Sequence, residues 1–229
     1  MTPTWLTAFI DLPAERYDLG VAFWQEVTGF GISPSRGDHD EFATLLPPAG
    51  DPYLRVQRTA DGSVGVHLDL HHPDHEFRVL RSPGGLAYCE VSEHLTQRPR
   101  PVTWPGGHRS IVDQVCLDIP PSQYEEECQW WADRTGWELR GVDRDSEFRS
   151  LARPPGQPIR ILLQRVGDER PHTTAHLDLA TDDRAAETAR HECLGARMTR
   201  RHDDFTVLAD PTGAAYCITD RHPDIGVLG

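Results

Sequence analysis

The 229 residues contain no lysine, because all 23 basic side chains are arginine. Schiff-base chemistry, covalent pyridoxal phosphate and a phosphate-cradling P-loop lysine are therefore excluded. Cysteine is sparse: Cys89, Cys116, Cys128, Cys193 and Cys217 make an odd count with no C-x-x-C pair, so neither a zinc ribbon nor a thioredoxin motif is present. Reduced thiols and the lack of a basic-then-apolar leader point to a cytoplasmic protein. No apolar run approaches the roughly 18 residues of a membrane span. Positive charge is short too, with 36 acidic residues against 23 basic and a net charge of −13. That balance argues against nucleic acid and anionic membranes as partners, and it favours neutral or cationic ligands. The 19 glycines and 19 prolines are scattered, which suits many short elements joined by turns.

The chain repeats itself. Phe23-Trp24 and Thr28-Gly29-Phe30 recur as Trp130-Trp131 and Thr135-Gly136-Trp137, an offset of 130 − 23 = 107. Val56-Gln57-Arg58 recurs as Leu163-Gln164-Arg165 at the same offset, and His67-Leu68-Asp69-Leu70 as His176-Leu177-Asp178-Leu179 at 109. Val79-Leu80 through Ala87-Tyr88-Cys89 returns as Val207-Leu208 through Ala215-Tyr216-Cys217, now 128 apart. Two copies of one unit of about 100 residues account for this order.

Each copy opens with a strand, Thr7 to Leu12 and Gln114 to Ile119, followed by a proline and a helix. Tyr17, Val21 and Trp24, like Tyr124, Cys128 and Trp131, fall at helical spacing, and Gly29 and Gly136 sit where C-caps belong. Short strands follow at Ala43–Leu46, Tyr53–Gln57 and Arg160–Gln164. The jump in offset from 109 to 128 falls on Thr181 to Gly195, which reads as a helix capped by Thr181 or Asp182. The first copy has only His71-His72-Pro73-Asp74-His75 there and lacks that helix. Leu68 and Leu70 then need another cover: the second copy, the linker or a second subunit in a homodimer.

The stretch Leu162-Leu163-Gln164-Arg165-Val166, His176-Leu177-Asp178-Leu179-Ala180-Thr181, Leu194-Gly195-Ala196-Arg197 and Val207-Leu208-Ala209-Asp210-Pro211-Thr212-Gly213 resembles the vicinal oxygen chelate (VOC) superfamily, in its actinobacterial tandem glyoxalase-like subfamily. The same fold serves bleomycin-resistance proteins and extradiol dioxygenases. The resemblance implies an α+β fold of two tandem glyoxalase-like domains, each a pair of βαβββ modules curling into a β-sheet cup. The N-terminal domain would span 1–93, the Pro- and Arg-rich linker 94–110, and the C-terminal domain 111–229. The family's four inward metal positions map to Gln114, Gln164, His176 and Cys217, and in the first copy to Thr7, Gln57, His67 and Cys89. Neither set contains a carboxylate, and a glutamine is a poor base and a poor ligand for late first-row ions.

Two expectations follow. The first is a small-molecule binder that uses Gln114, Gln164, His176, Asp178 and Cys217, with His67 in the first copy, and lacks true glyoxalase I activity. The alternative is a metal-dependent lyase, isomerase or dioxygenase with His176 as ligand to Zn, Fe, Ni or Mn. His176 and Asp178 alternate on one strand, so they share a face, and the aspartate is placed to fix the imidazole tautomer. Cys89 and Cys217 read as packing residues, His71, His72 and His75 as a solvated turn, and Trp5 and Trp104 as residues that either pack or line a ligand mouth. Asp210-Pro211-Thr212-Gly213 reads as a turn without chemistry.

Overall fold

The computed structural model describes residues 2–73, 75–141 and 146–226. The first copy runs β1 (Trp5–Pro13), α1 (Tyr17–Thr28), β2 (Gly31–Ile32), β3 (Phe42–Leu46), β4 (Leu54–Thr59), β5 (Gly65–His71), β6 (Arg78–Arg81) and β7 (Ala87–Val91). Within the expected linker, β8 (Val102–Thr103) pairs with β9 (Arg109–Ile119), so part of that stretch belongs to the second sheet. The second copy continues with α2 (Tyr124–Thr135), β10 (Leu139–Arg140), β11 (Phe148–Leu151), β12 (Arg160–Arg165), β13 (Thr174–Thr181), α3 (Arg184–Cys193), β14 (Arg197–Arg201), β15 (Phe205–Ala209) and β16 (Ala215–Thr219).

Two mixed sheets result, α+β in class, with matching strand orders: β2-β3-β4-β1-β5-β7-β6 and β10-β11-β12-β9-β13-β16-β15-β14. In each, the opening strand pairs parallel with the last strand of its own module and antiparallel with the first strand of the next. Helices α1 and α2 both end on a glycine at φ 67, the left-handed conformation that a Cβ disfavours. No helix lies between β5 and β6 among the described residues, whereas α3 occupies that place in the second copy. The N-cap of α3 is Asp183, whose side chain accepts from the Ala186 N–H, rather than Thr181 or Asp182. Thr181 instead donates to the Arg109 carbonyl. No helix among the described residues is long and apolar enough to cross a membrane.

Each first-module helix packs on its own sheet and also reaches the other copy's. Phe23 and Trp24 of α1 pack edge-on against Tyr216 of β16, and Trp130 and Trp131 of α2 do the same to Tyr88 of β7. These aromatic pairs therefore pack helix to sheet, but across the repeat. Leu68 and Leu70 are fully buried in a core continuous through both halves, with β5 running against β13. The second copy thus supplies the cover that the missing helix would have given.

A carboxylate anchors each crossing, from opposite sides. In one, Asp210 on the β15–β16 turn accepts from Trp24 Nε1 and from Thr212 and Ala214 N–H, and Thr212 of the same turn lies against Gly20 of α1. In the other, the turn carries Ser82 and the helix carries Glu127, which accepts from Ser82 Oγ and Gly84 N–H at 2.5 and 2.7 Å. Asp210 is therefore an anchor as well as a turn former. His71 and His72 depart from the solvated-turn reading: both are buried, His71 on β5 between Thr7 Oγ1 at 2.8 Å and the Glu93 carbonyl.

Candidate functional site

Strand alternation gives each cup its polar floor. Gln114, Cys116 and Asp118 point one way from β9, His176 and Asp178 from β13, Gln164 from β12 and Cys217 from β16. All but Asp118 line one cavity of about 470 Å³, whose wall includes Phe148, Leu162 and Phe205. The five C-terminal residues expected from sequence are thus brought together, and His67 lies in the other cup.

His176 sits between two carboxylates. Its Nδ1 is 2.9 Å from Asp118 Oδ2 on the adjacent strand, and its Nε2 is 3.3 Å from Asp178 Oδ1. The tautomer-fixing partner is therefore Asp118, two residues past the position directly across from the ring, and not Asp178. Burial works against a charged imidazole, but the surrounding Cys116, Asp118 and Asp178 outweigh it and hold the His176 pKa well above the ordinary value. Burial pushes the Cys116 thiol up to about 12, so near neutral pH it is uncharged and the two aspartates hold the proton. Asp178 is pulled below the usual carboxylate range by His176, Arg221 and Gln114 despite its burial, and Gln114 Nε2 donates to its Oδ2 at 2.5 Å. The array is an imidazolium clamped by two anions. The long Nε2 contact leaves one N–H available to a ligand acceptor.

The same residues meet a simple test for a metal. One donor atom each from Cys116, His176 and Asp178 lies within 4.8 Å of the others, and Cys217 Sγ is 3.6 Å from His176 Nε2. Bonds of about 2.0–2.2 Å to nitrogen and oxygen imply a tetrahedral N···O edge near 3.4 Å. The observed 3.3 Å fits that edge. A thiol, an imidazole and a carboxylate suit Zn or Fe better than Mn. Asp118 would stand behind the imidazole as its hydrogen-bonded support. Of the family positions only His176 and Cys217 take part. Gln164 accepts from Cys116 Sγ at 3.7 Å, and Gln114 serves Asp178.

The N-terminal cup repeats the plan with weaker support. His67 Nδ1 is 3.0 Å from Asp11 Oδ2, and His67, Asp69 and Cys89 form a comparable donor group. Phe9 replaces Cys116 and stacks on the His67 ring at 4.7 Å. Thr7 turns to His71, so nothing equivalent to Gln114 reaches Asp69, whose pKa is raised by burial where that of Asp178 is lowered. This cavity is larger, about 910 Å³, with Phe77 and Val79 of its wall mostly exposed.

A β-bulge further separates the cups. In the second copy Asp178 pairs with Gln114 but Leu179 with Val112, leaving Asp113 without a partner on β13. In the first copy the register is unbroken. Asp113 is fully buried and accepts from Arg221 Nη2 at 2.5 Å. Arg221 and Arg160 both line the cavity, so one end of it is cationic, against the ligand charge suggested by the acidic composition. Sequence reading missed Asp11, Asp118, Cys116, Arg160 and Arg221. The first two carried a signal, since 118 − 11 = 107 is the offset of the opening repeat. Trp5 and Trp104 do not line either cup. Trp5 is buried with Nε1 toward the Pro52 carbonyl, and Trp104 lies 3.5 Å beneath the Arg190 guanidinium and bonds Ser110.

A family model for the glyoxalase-like domain matches residues 7–91 and 114–219. Among solved structures, the Mn(II)-bound glyoxalase from Novosphingobium aromaticivorans aligns with TM-score 0.62 at 16% identity, covering 95% of this chain and 82% of that one. BphC, a halotolerant catechol dioxygenase, aligns with TM-score 0.60 at 12% identity, over 95% of this chain and 87% of that one. A homoprotocatechuate 2,3-dioxygenase mutant from Brevibacterium fuscum aligns with TM-score 0.59 at 13% identity, over 95% and 72%. At these identities the likeness is one of fold. No curated protein matches the chain in sequence.

Proposed function

Because the chain belongs to the glyoxalase-like domain family, we propose that it binds a small molecule in its C-terminal cup, oriented by the Asp118–His176–Asp178 array. The observation that carries this reading is one imidazole held between two carboxylates on the floor of a largely apolar cavity. A few convergent polar groups in an apolar pocket are the usual signature of a ligand site. His176→Ala should weaken binding of a compound found by metabolite screening by about tenfold or more, since a hydrogen bond to a charged group contributes ~1.5–3 kcal/mol. His67→Ala should do much less. Calorimetry on both variants decides, and equal losses, or a loss at His67 alone, would show the wrong cup was chosen.

A metal-dependent lyase, isomerase or dioxygenase is the second reading, favoured by the Cys116, His176 and Asp178 donor group. A bound Zn, Fe, Ni or Mn would supply Lewis-acid polarisation of a substrate oxygen. The glyoxalase of like fold holds Mn(II). Elemental analysis of untagged protein separates the readings: stoichiometric metal that is lost in His176→Ala selects the second.

Under either reading, glyoxalase I activity on the glutathione or mycothiol hemithioacetal of methylglyoxal should be absent. Gln114 and Gln164 cannot accept a proton near neutral pH, and Asp178, held below the usual range, is a weak base. Lack of a positioned base costs ~10²–10⁴-fold in rate. Efficient metal-stimulated turnover in a standard assay would contradict this.

A further inference from the structure

The arginine end of the C-terminal cup carries more positive charge than its neighbours answer. Arg221 is buried, yet among the described residues its Nε has no hydrogen-bond partner, and Nη1 stands 3.9 Å from Asp178 Oδ2. Its one short bond is the 2.5 Å contact from Nη2 to Asp113. Arg160, across the cavity end on β12, donates through Nη1 to the Gly226 carbonyl. Behind them Arg98 bonds the Pro223 and Asp224 carbonyls, and Arg153 the Pro158 carbonyl. Asp113 interacts with the guanidiniums of Arg153, Arg160 and Arg221 but forms its ion pair with Arg221. Crowding with like charges and burial lower the Arg153 pKa to about 10, with burial the larger cause.

Buried guanidinium N–H groups without a hydrogen-bond partner are unfavourable unless something supplies one. Arginine's planar fork suits a carboxylate, which accepts two parallel hydrogen bonds. Asp178 and Asp204 line the same cavity and would repel a second ligand charge. The remaining wall, including Phe148, Leu162 and Phe205, is mostly apolar.

We propose that Arg160 and Arg221 form a subsite for the carboxylate of a small, largely apolar monoanionic acid, whose body lies along Phe148 and Leu162 toward His176. The assignment rests on the C-terminal cup being the binding site.

An isosteric charge series tests it on the full chain by calorimetry: 3-phenylpropionate, 3-phenylpropionamide and 3-phenylpropylamine. The acid should bind at least tenfold tighter than the amide, and the amine weakest. The preference should shrink with added salt and disappear in Arg160→Gln. Because Arg221→Gln alone strands Asp113, the paired variant Asp113→Asn/Arg221→Gln is the second probe, and it should also lose the preference, with acid and amide binding alike. Equal binding of acid and amide, or a preference that survives in both variants, overturns the subsite and leaves the cup reading intact. If none of the three binds at millimolar concentration, or binding is untouched by His176→Ala, both fall.

Discussion

Asp118 shows how a side chain can be decisive and still escape a linear reading. The His-x-Asp spacing on β13 points to Asp178, because alternation within a strand is visible in sequence. The partner that reaches Nδ1 lies on another strand, and its identity depends on register. The sign of the effect follows from linkage. His176 is raised above its free value of 6.5, so the array stabilises the fold in full below that pH and loses this contribution as pH rises through the raised value. Asp178 is lowered from 3.8, so its contribution is present above that pH and lost as pH falls through the lowered value. Asp118→Asn should therefore lower the His176 pKa in an NMR titration, and its destabilisation should be largest below about pH 6.5 and fade in alkali. An unchanged titration would show that Asp178 alone holds the proton. Metal uptake, if it occurs, must displace this proton and should strengthen as pH rises.

Helix α3 is the element that distinguishes the copies, and it is built around a buried charge. Glu187, fully buried, accepts from Ser110 Oγ at 2.5 Å, from Arg190 at 2.8 Å and from His191 at 3.1 Å, and lies 2.8 Å from His108 Nε2. Arg190 extends from it to the carbonyls of Glu26 and Val27, the last turn of α1, so one side chain ties α3 to the other copy's helix terminus. Those contacts depress the Glu187 pKa against its burial. Removing one partner of a buried ion pair costs about 3–5 kcal/mol. Glu187→Gln should lower stability by that order in denaturant titrations at neutral pH, and the difference should shrink as acid protonates the wild-type carboxylate. At this scale the sequence was largely legible: helical spacing and the glycine C-caps follow from residues in one window, and the missing helix from the change in offset between the copies. The N-cap of α3 was shifted by one or two residues because Thr181, Asp182 and Asp183 are all competent caps, and the Thr181 hydroxyl was taken by Arg109. His71 and His72 were misplaced because their burial comes from β7 and the residues after it, a cover invisible in a His-Pro run.

Over the whole molecule, composition described the average and missed the site. A chain of net charge −13 concentrates Arg98, Arg153, Arg160 and Arg221 around one aspartate, because the bulge at Asp113 and the residues after β16 bring distant segments together. The repeat predicted two similar sheets, and two sheets with matching strand orders formed. What no repeat offset could state was that the helices cross over. Expressed separately, residues 1–93 and 94–229 should each fail to give cooperative unfolding, since each leaves Tyr88 or Tyr216 without its aromatic cover. Mixing them should restore a concentration-dependent transition. Independent folding of either half would contradict the shared core.

The crossed helices also bear on how such a chain can change over time. A single copy would leave the aromatic face of this helix without the strand it packs against. Two such copies on separate chains would complete one another only by meeting, and their stability would rise and fall with concentration. Joining them end to end replaces that encounter with an effective concentration of order millimolar. Once the partner can no longer leave, identical halves are no longer required. One copy can shed a helix and let its cup slacken, while the other refines a polar floor, and a carboxylate can migrate from turn to helix at one crossing without disturbing the other. The two cups then read as unequal members of a pair that is bound for the life of the chain.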